Sequence, residues 1–187
     1  MKKLIIASLV GAVIIFVYSA LSWMIMPTHK NTFKYLPSQD VVLSNLSQNI
    51  TEDGTYLVPH VDQNDPEFAT KQAELGQANV GKPSAIIFFT KAANDMNPSM
   101  FIYGFIYDFL TVMFLCIILA AGGDKLNSFF YRWWLCVLVG GIVVLQSSMK
   151  DHTWQYFPWH YVSGAVIDVL IGFGMCGAWL AWYFGRK

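Results

Sequence analysis

The sequence predicts an all-α transmembrane four-helix bundle with a small α+β domain inserted between its first and second helices. Of the 187 residues, 55% are hydrophobic and only 13% are charged, which is too apolar for an ordinary soluble domain. The apolar residues form four long runs, and a polar segment that holds six of the seven prolines separates the first run from the second. The chain is therefore expected to be a multi-pass membrane protein.

The first predicted span covers residues 1–26 and contains an apolar run from Leu4 to Met26. This run is long enough to cross the hydrocarbon core as an α-helix. Lys2 and Lys3 precede it, as in a secretory signal peptide, but the run is longer than the apolar region of such a peptide. We therefore expect a membrane anchor.

The other spans are predicted at residues 99–121, 129–149 and 158–184. With four spans, both termini lie on one side of the membrane, together with the turn between the second and third spans. Six cations flank the membrane on that side: Lys2, Lys3, Lys125, Arg132, Arg186 and Lys187. The positive-inside rule assigns this side to the cytoplasm, so both termini are expected to be cytoplasmic and residues 27–98 to face outward.

Residues 27–98 read as a small α+β domain. Ser38 can cap a helix that runs to about Ile50, and Asp65 with the following proline can open a second helix. The stretches TYLVPH and SAIIFFT have the residue types of strands. A domain of this size without a disulfide has a thin core, so we expect it to depend on the membrane helices for stability.

An internal repeat relates the two halves of the bundle. The second and fourth spans, aligned at an offset of 60 residues, share a proline, a glycine, an aspartate, a leucine and a cysteine, where average composition predicts roughly one identity. The pairs are Pro98/Pro158, Gly104/Gly164, Asp108/Asp168, Leu110/Leu170 and Cys116/Cys176. LVGAVIIFVYS in the first span likewise resembles LVGGIVVLQSS in the third. This pattern favours a duplicated helical hairpin arranged as a parallel repeat; the alternative is convergence of similar apolar helices.

Asp108 and Asp168 are the strongest candidate site residues. A charged carboxylate in a span costs about 2.5 kcal/mol or more on insertion scales. Each Asp follows a proline by ten residues, so both lie about 15 Å along their helices, near mid-membrane. If both face the repeat axis, they share a proton or hold a cation. Alternatively, each bonds a polar residue of an adjacent helix and fixes packing; the candidates are Tyr18, Ser19, Ser22, Gln146, Ser147 and Ser148.

His160 is a further candidate, because His160, Gly164 and Asp168 share one helix face at spacings of four residues. His160 can then gate access to Asp168 from outside, or it can be an interfacial residue beside Trp159. All four histidines fall on the predicted outer side near several methionines, which brings copper to mind. No pair has a ligand spacing, so we expect neither a metal nor a cofactor.

The sequence also argues against several function classes. The cysteines, Cys116, Cys136 and Cys176, all fall within spans, so the outer segment lacks the thiol pair that a thiol oxidoreductase needs. The sequence contains no HExxH, GxSxG, P-loop or dinucleotide-binding motif. A formal net charge of zero and short inner segments make a nucleic-acid partner implausible. These absences favour a non-enzymatic role.

Three stretches, MPTH, MNPSMFIYGFIYDFL and TWQYFPWHY, give the chain a resemblance to a group of small bacterial inner-membrane proteins of unknown activity. The resemblance covers the whole layout of the chain. It implies a location in the bacterial inner membrane with residues 27–98 in the periplasm, and it implies no activity, cofactor or binding residue.

Three functions remain in view. The first is an accessory subunit that docks a membrane or periplasmic protein partner through the outer domain. The second is a small carrier or a ligand- or proton-binding protein that uses Asp108 and Asp168, with His160 and Gln146 beside them. The third, handling of metal or haem in the periplasm, rests only on the histidines and methionines. The lipid bilayer is a partner in every case.

Overall fold

The computed structural model describes residues 2–93 and 95–186, apart from the side chain of Asp124. The described chain is mostly helical and divides into two compact units. One unit joins the N-terminal part, up to Tyr35, with the part from Met96 onward, and the other is Leu36–Asp95. In chain order the elements are α1 (Lys2–Met24), α2 (Gln39–Asn49), β1 (Gly54–Val58), α3 (Phe68–Ala78), β2 (Ala85–Phe89), α4 (Pro98–Gly122), α5 (Phe129–Gln146), α6 (Ser148–Trp154) and α7 (Trp159–Gly185).

Four helical stretches have the length and apolarity to cross a membrane, which confirms the prediction of a multi-pass membrane protein. They are α1, α4, α5 with its continuation α6, and α7. The third differs in detail from the predicted span at 129–149. Ser147 leaves the helical conformation with φ −112° and ψ −84°, so α5 ends at Gln146 and the short helix α6 follows.

Local signals in the sequence explain where the membrane helices begin. Pro98 occupies the first turn of α4, and the Asn97 side chain accepts a hydrogen bond from the backbone N–H of Ser99. At the start of α5, the hydroxyl of Ser128 accepts from the backbone N–H of Tyr131. Both arrangements satisfy N–H groups that have no partner within the helix.

The core of the membrane unit lies where α1 packs on α4 and α7 and where α5 packs on α7. Gly11 of α1 permits this approach, because a Cβ atom there would lie 2.6 Å from Val112 and 2.9 Å from the sulfur of Cys176. All three cysteines are free and fully buried in this core, where they serve as small apolar residues.

The unit Leu36–Asp95 contains α2, α3 and an antiparallel hairpin of β1 and β2, in which Thr55 pairs with Phe88 and Leu57 with Ile86. Helix α2 begins directly after Ser38, as expected, although the Ser38 side chain makes no cap bond. The predicted second helix begins at Phe68 rather than beside Asp65, because Asp65 accepts a hydrogen bond from the backbone N–H of Glu67 and forms a turn there.

Asp65 also receives a hydrogen bond from the ammonium group of Lys71, at 2.7 Å. This bond, together with the backbone bond from Glu67, holds the pKa of the Asp65 carboxyl below its usual range. The pair ties the first turn of α3 to the turn that precedes it.

Candidate functional site

The carboxylate of Asp168, in α7, is the centre of a polar cluster within the membrane unit. Tyr18 donates to its Oδ1 at 3.2 Å, and Ser22 donates to the same oxygen at 2.5 Å. The imidazole Nε2 of His29 lies 2.8 Å from Oδ2. An ionised carboxylate only accepts hydrogen bonds, so Nε2 carries a proton and three donors converge on Asp168.

His29 is held in place on several sides. It ends a single 3₁₀ turn, Pro27–His29, that follows α1. The indole of Trp23 stacks on the imidazole with ring centroids 3.8 Å apart and an interplanar angle of 9°, and Nδ1 lies 3.3 Å from the hydroxyl of Thr32. The His29 side chain is only 4% exposed. Both ring nitrogens therefore have a partner whether the imidazole is neutral or protonated.

Gly164 makes room for this imidazole. It lies one helical turn before Asp168, and a Cβ atom there would lie 2.7 Å from Cε1 and 2.8 Å from Nδ1 of His29. At Gly104, which occupies the same place relative to Asp108, an added Cβ would meet only Phe16, at 3.8 Å. The two acids thus stand in different surroundings despite their similar sequence context.

Asp108, in α4, is partly buried and makes no hydrogen bond with any described residue. Its side chain lines a cavity of about 250 Å³ that Asp168 also lines. The hydroxyl-bearing residues Ser19 and Thr111 supply the other polar lining. The remaining walls are Ile15, Val143, Val169, Gly172 and Phe173. The structure therefore brings the two predicted acids to one cavity among the four membrane helices.

The other two predicted site residues lie elsewhere. His160, in the first turn of α7, is partly buried and does not line this cavity, and the imidazole that contacts Asp168 belongs to His29. Gln146, the last residue of α5, is exposed and makes no side-chain hydrogen bond within the described chain. Among the hydroxyl residues proposed as partners, Tyr18 and Ser22 are the ones that bond Asp168.

His29 is the site residue that the sequence did not reveal. A signal was present in MPTH, since a proline directly after an apolar run ends the helix and starts a turn. The spacing of Tyr18 and Ser22, four residues apart on one face of α1, also marks the face that meets Asp168. What the sequence lacked was the direction in which the turn brings His29 back over α7.

The donors around the cavity determine the ligands that it can take. Among the described residues, no group of three His, Cys, Asp or Glu side chains is placed to hold a metal ion. Carboxylate and hydroxyl oxygens are hard ligands, which suit protons and hard cations rather than copper or zinc. The geometry thus favours a proton or a hard cation as the ligand.

No protein-family model, curated protein or solved structure that was compared with this chain matches it. The fold and the site together define the class of the protein. It is a multi-pass membrane protein with two acidic residues on a cavity among its membrane-length helices.

Replacing Gly164 with alanine is predicted to displace His29, because the new methyl group would overlap the imidazole. We expect the free energy of unfolding in detergent to fall by about 1–3 kcal/mol, the usual effect of overpacking. Gly174→Ala is the matched control in the same helix, because an added Cβ there meets nothing within 4 Å. Equal stability of the two variants would contradict the packing of His29 on Gly164.

Asn substitution of the two acids is predicted to affect stability unequally. Asp168→Asn turns an amide group toward one of three donors and should lower the free energy of unfolding by about 1–3 kcal/mol. Asp108→Asn breaks no hydrogen bond and should leave stability unchanged. Thermal unfolding of both variants in the same detergent measures the difference, and a larger loss for Asp108→Asn would refute the assignment.

Proposed function

We propose that this chain is a small carrier or binding protein of the membrane that takes up a proton or a monovalent cation between Asp108 and Asp168. The observation that carries the proposal is that both carboxylates line one cavity while donors hold only one of them. The ranking differs from that of the sequence alone, which placed a docking subunit first.

The two acids have different roles in this proposal. Tyr18, Ser22 and His29 stabilise negative charge on Asp168, because charge-assisted hydrogen bonds are about twice as strong as neutral ones. Asp108 has no such support. Two negative charges facing one cavity of low dielectric repel each other, so a proton or a cation at Asp108 restores the balance.

The hydroxyl groups of the cavity extend the set of oxygen ligands. Ser19 of α1 and Thr111 of α4 line the same space as the acids. An alkali cation prefers such neutral and anionic oxygens. Binding would therefore connect α4 with α1 and α7 through one ion.

The proposal includes an orientation and a location. We place the termini in the cytoplasm, because Lys2, Lys3, Arg132 and Arg186 lie at the ends of helices on one side of the bundle. Residues 27–98 then face the periplasm of a bacterial inner membrane. The duplicated hairpin is part of the same proposal, since it gives both acids equal depth.

Reaction with a hydrophobic carbodiimide, which modifies protonated carboxyl groups, tests the proposed site. Asp108 should be modified and Asp168 should not, and modification of Asp108 should decrease as the pH rises. If a cation is the ligand, Li⁺, Na⁺ or K⁺ should protect Asp108 at fixed pH, whereas choline at equal ionic strength should not. Peptide mass spectrometry quantifies the modification at each residue.

Thr111→Val is the control for this experiment, because it removes a hydroxyl from the cavity at nearly constant volume. It should weaken protection by cations and leave the reaction of the protonated acid unchanged. An Asp108 that never reacts, or that reacts equally at every pH and with every cation, would overturn the proposed function.

A second candidate function is that of a subunit that docks a partner protein through the unit Leu36–Asp95. Phe89 is the only residue of this unit in the buried class among those that the structure describes, and Phe88 on the opposite face of the hairpin is 69% exposed. A unit with so little buried apolar surface gains stability from a partner. The exposed face of β1 and β2 is the surface that this candidate assigns to the partner.

Chemical crosslinking in the native membrane tests the second candidate. Phe88→Ser should abolish a crosslink to a partner chain, while Val80→Ser should retain it. Val80 is a suitable control because it is an exposed apolar residue of the same unit, 82% exposed, and lies outside both strands. Identical crosslinks in both variants would exclude the hairpin face as the docking surface.

A further inference from the structure

Two adjoining cavities lie at the end of the bundle that carries the termini. One has a volume of about 360 Å³ and the other about 330 Å³, and Arg132 and Arg186 line both. The larger cavity also contacts Leu119, Leu126 and Phe184. It therefore combines two guanidinium groups with an apolar wall.

Arg132 is fixed at this place by the backbone. Its Nη1 donates to the carbonyl of Ala181 at 3.2 Å, and its Nη2 donates to the carbonyl of Asn127 at 3.2 Å. A guanidinium group has five N–H donors, so three remain for a ligand. The group also lies close to α7, because a Cβ atom at Gly185 would be 3.0 Å from Nη1.

Arg186 presents a second guanidinium to the same cavities. Its central carbon lies 3.5 Å from the centroid of the Trp182 ring, which orients the planar group by a cation–π contact. Lys3 approaches from α1 and donates to the backbone carbonyl of Arg186 at 3.1 Å. Three cationic side chains therefore meet at one corner of the bundle.

No described acidic side chain forms an ion pair with these three cations; the ion pairs of the described chain involve His29 and Lys71. Arg132 lies in the first turn of α5 and Arg186 directly follows α7. Both are at the ends of membrane-length helices, which is the depth of lipid headgroups. Planar guanidinium groups are well suited to bind phosphate.

We propose that the cavity between the ends of α4, α5 and α7 binds the phosphate group of an anionic phospholipid through Arg132 and Arg186. The apolar residues Leu119, Leu126 and Phe184 then contact the start of an acyl chain. Basic pockets between membrane helices are a known way of holding anionic headgroups. This site is independent of the cavity at Asp108 and Asp168.

Native mass spectrometry of the purified full chain in detergent tests the proposal. The protein is titrated separately with phosphatidylglycerol, phosphatidylcholine and inorganic phosphate. We expect one phosphatidylglycerol to bind, phosphatidylcholine to bind at least fivefold more weakly, and inorganic phosphate not to be retained.

The matched variants are Arg186→Gln and Lys125→Gln. Each removes one positive charge at the same end of the bundle, but Lys125 does not line the cavity. Arg186 is exposed and follows the last helix, so its substitution leaves the fold intact. Arg186→Gln should weaken phosphatidylglycerol binding at least fivefold and Arg186→Lys by less, whereas Lys125→Gln should leave it unchanged.

Three results would overturn the proposal. Equal losses in Arg186→Gln and Lys125→Gln would mean that general surface charge attracts the lipid. Equal binding of phosphatidylcholine would remove the selectivity for an anionic lipid. Retention of inorganic phosphate in place of the lipid would assign the cavity to free phosphate.

Discussion

A carboxylate within a membrane-length helix requires donors from the protein, since lipid supplies none. Asp168 lies about 14 Å from the start of α7 at 1.5 Å per residue. Much of the bundle follows from satisfying it. Tyr18 and Ser22 bring α1 against α7, the turn after α1 folds back to deliver His29, and Gly164 provides the space that His29 occupies. With its side chain 14% exposed, Asp168 joins α1, the following turn and α7 in one network.

Asp108 shows how far the two halves of the chain have diverged in structure. Its sequence context matches that of Asp168, yet no described residue donates to it, and its glycine has no imidazole above it. The packing of the hairpins is also uneven. Helix α1 packs extensively on α7, while α4 and α5, which an exact twofold arrangement would pair in the same way, make no comparable contact among the described residues. If the hairpins arose by duplication, one acid became part of a structural network and the other remained free to bind a ligand.

The sequence was sufficient to predict the membrane helices, because apolar length determines them, and to single out Asp108 and Asp168, because acids in spans are costly. It was insufficient for the partner of Asp168. His160 has the right helical spacing from Asp168, but spacing within one helix does not show which neighbouring helix or turn covers that face. Gln146 was named for its place in the third span, and the break at Ser147 leaves it exposed at the end of α5. Residues that meet through a turn or across helices escape periodicity arguments, whereas those within one helix do not.

The central claim, that His29 and Asp168 stabilise the bundle as a pair, is tested most directly by a double-mutant cycle on the free energy of unfolding. His29→Ala, Asp168→Asn and the double variant are compared with the parent chain, and the same cycle with His160→Ala is the control. The account predicts a coupling of at least about 1 kcal/mol between His29 and Asp168, and additivity within about 0.5 kcal/mol for His160. Additive effects of His29 and Asp168, or a coupling that appears with His160 instead, would contradict it.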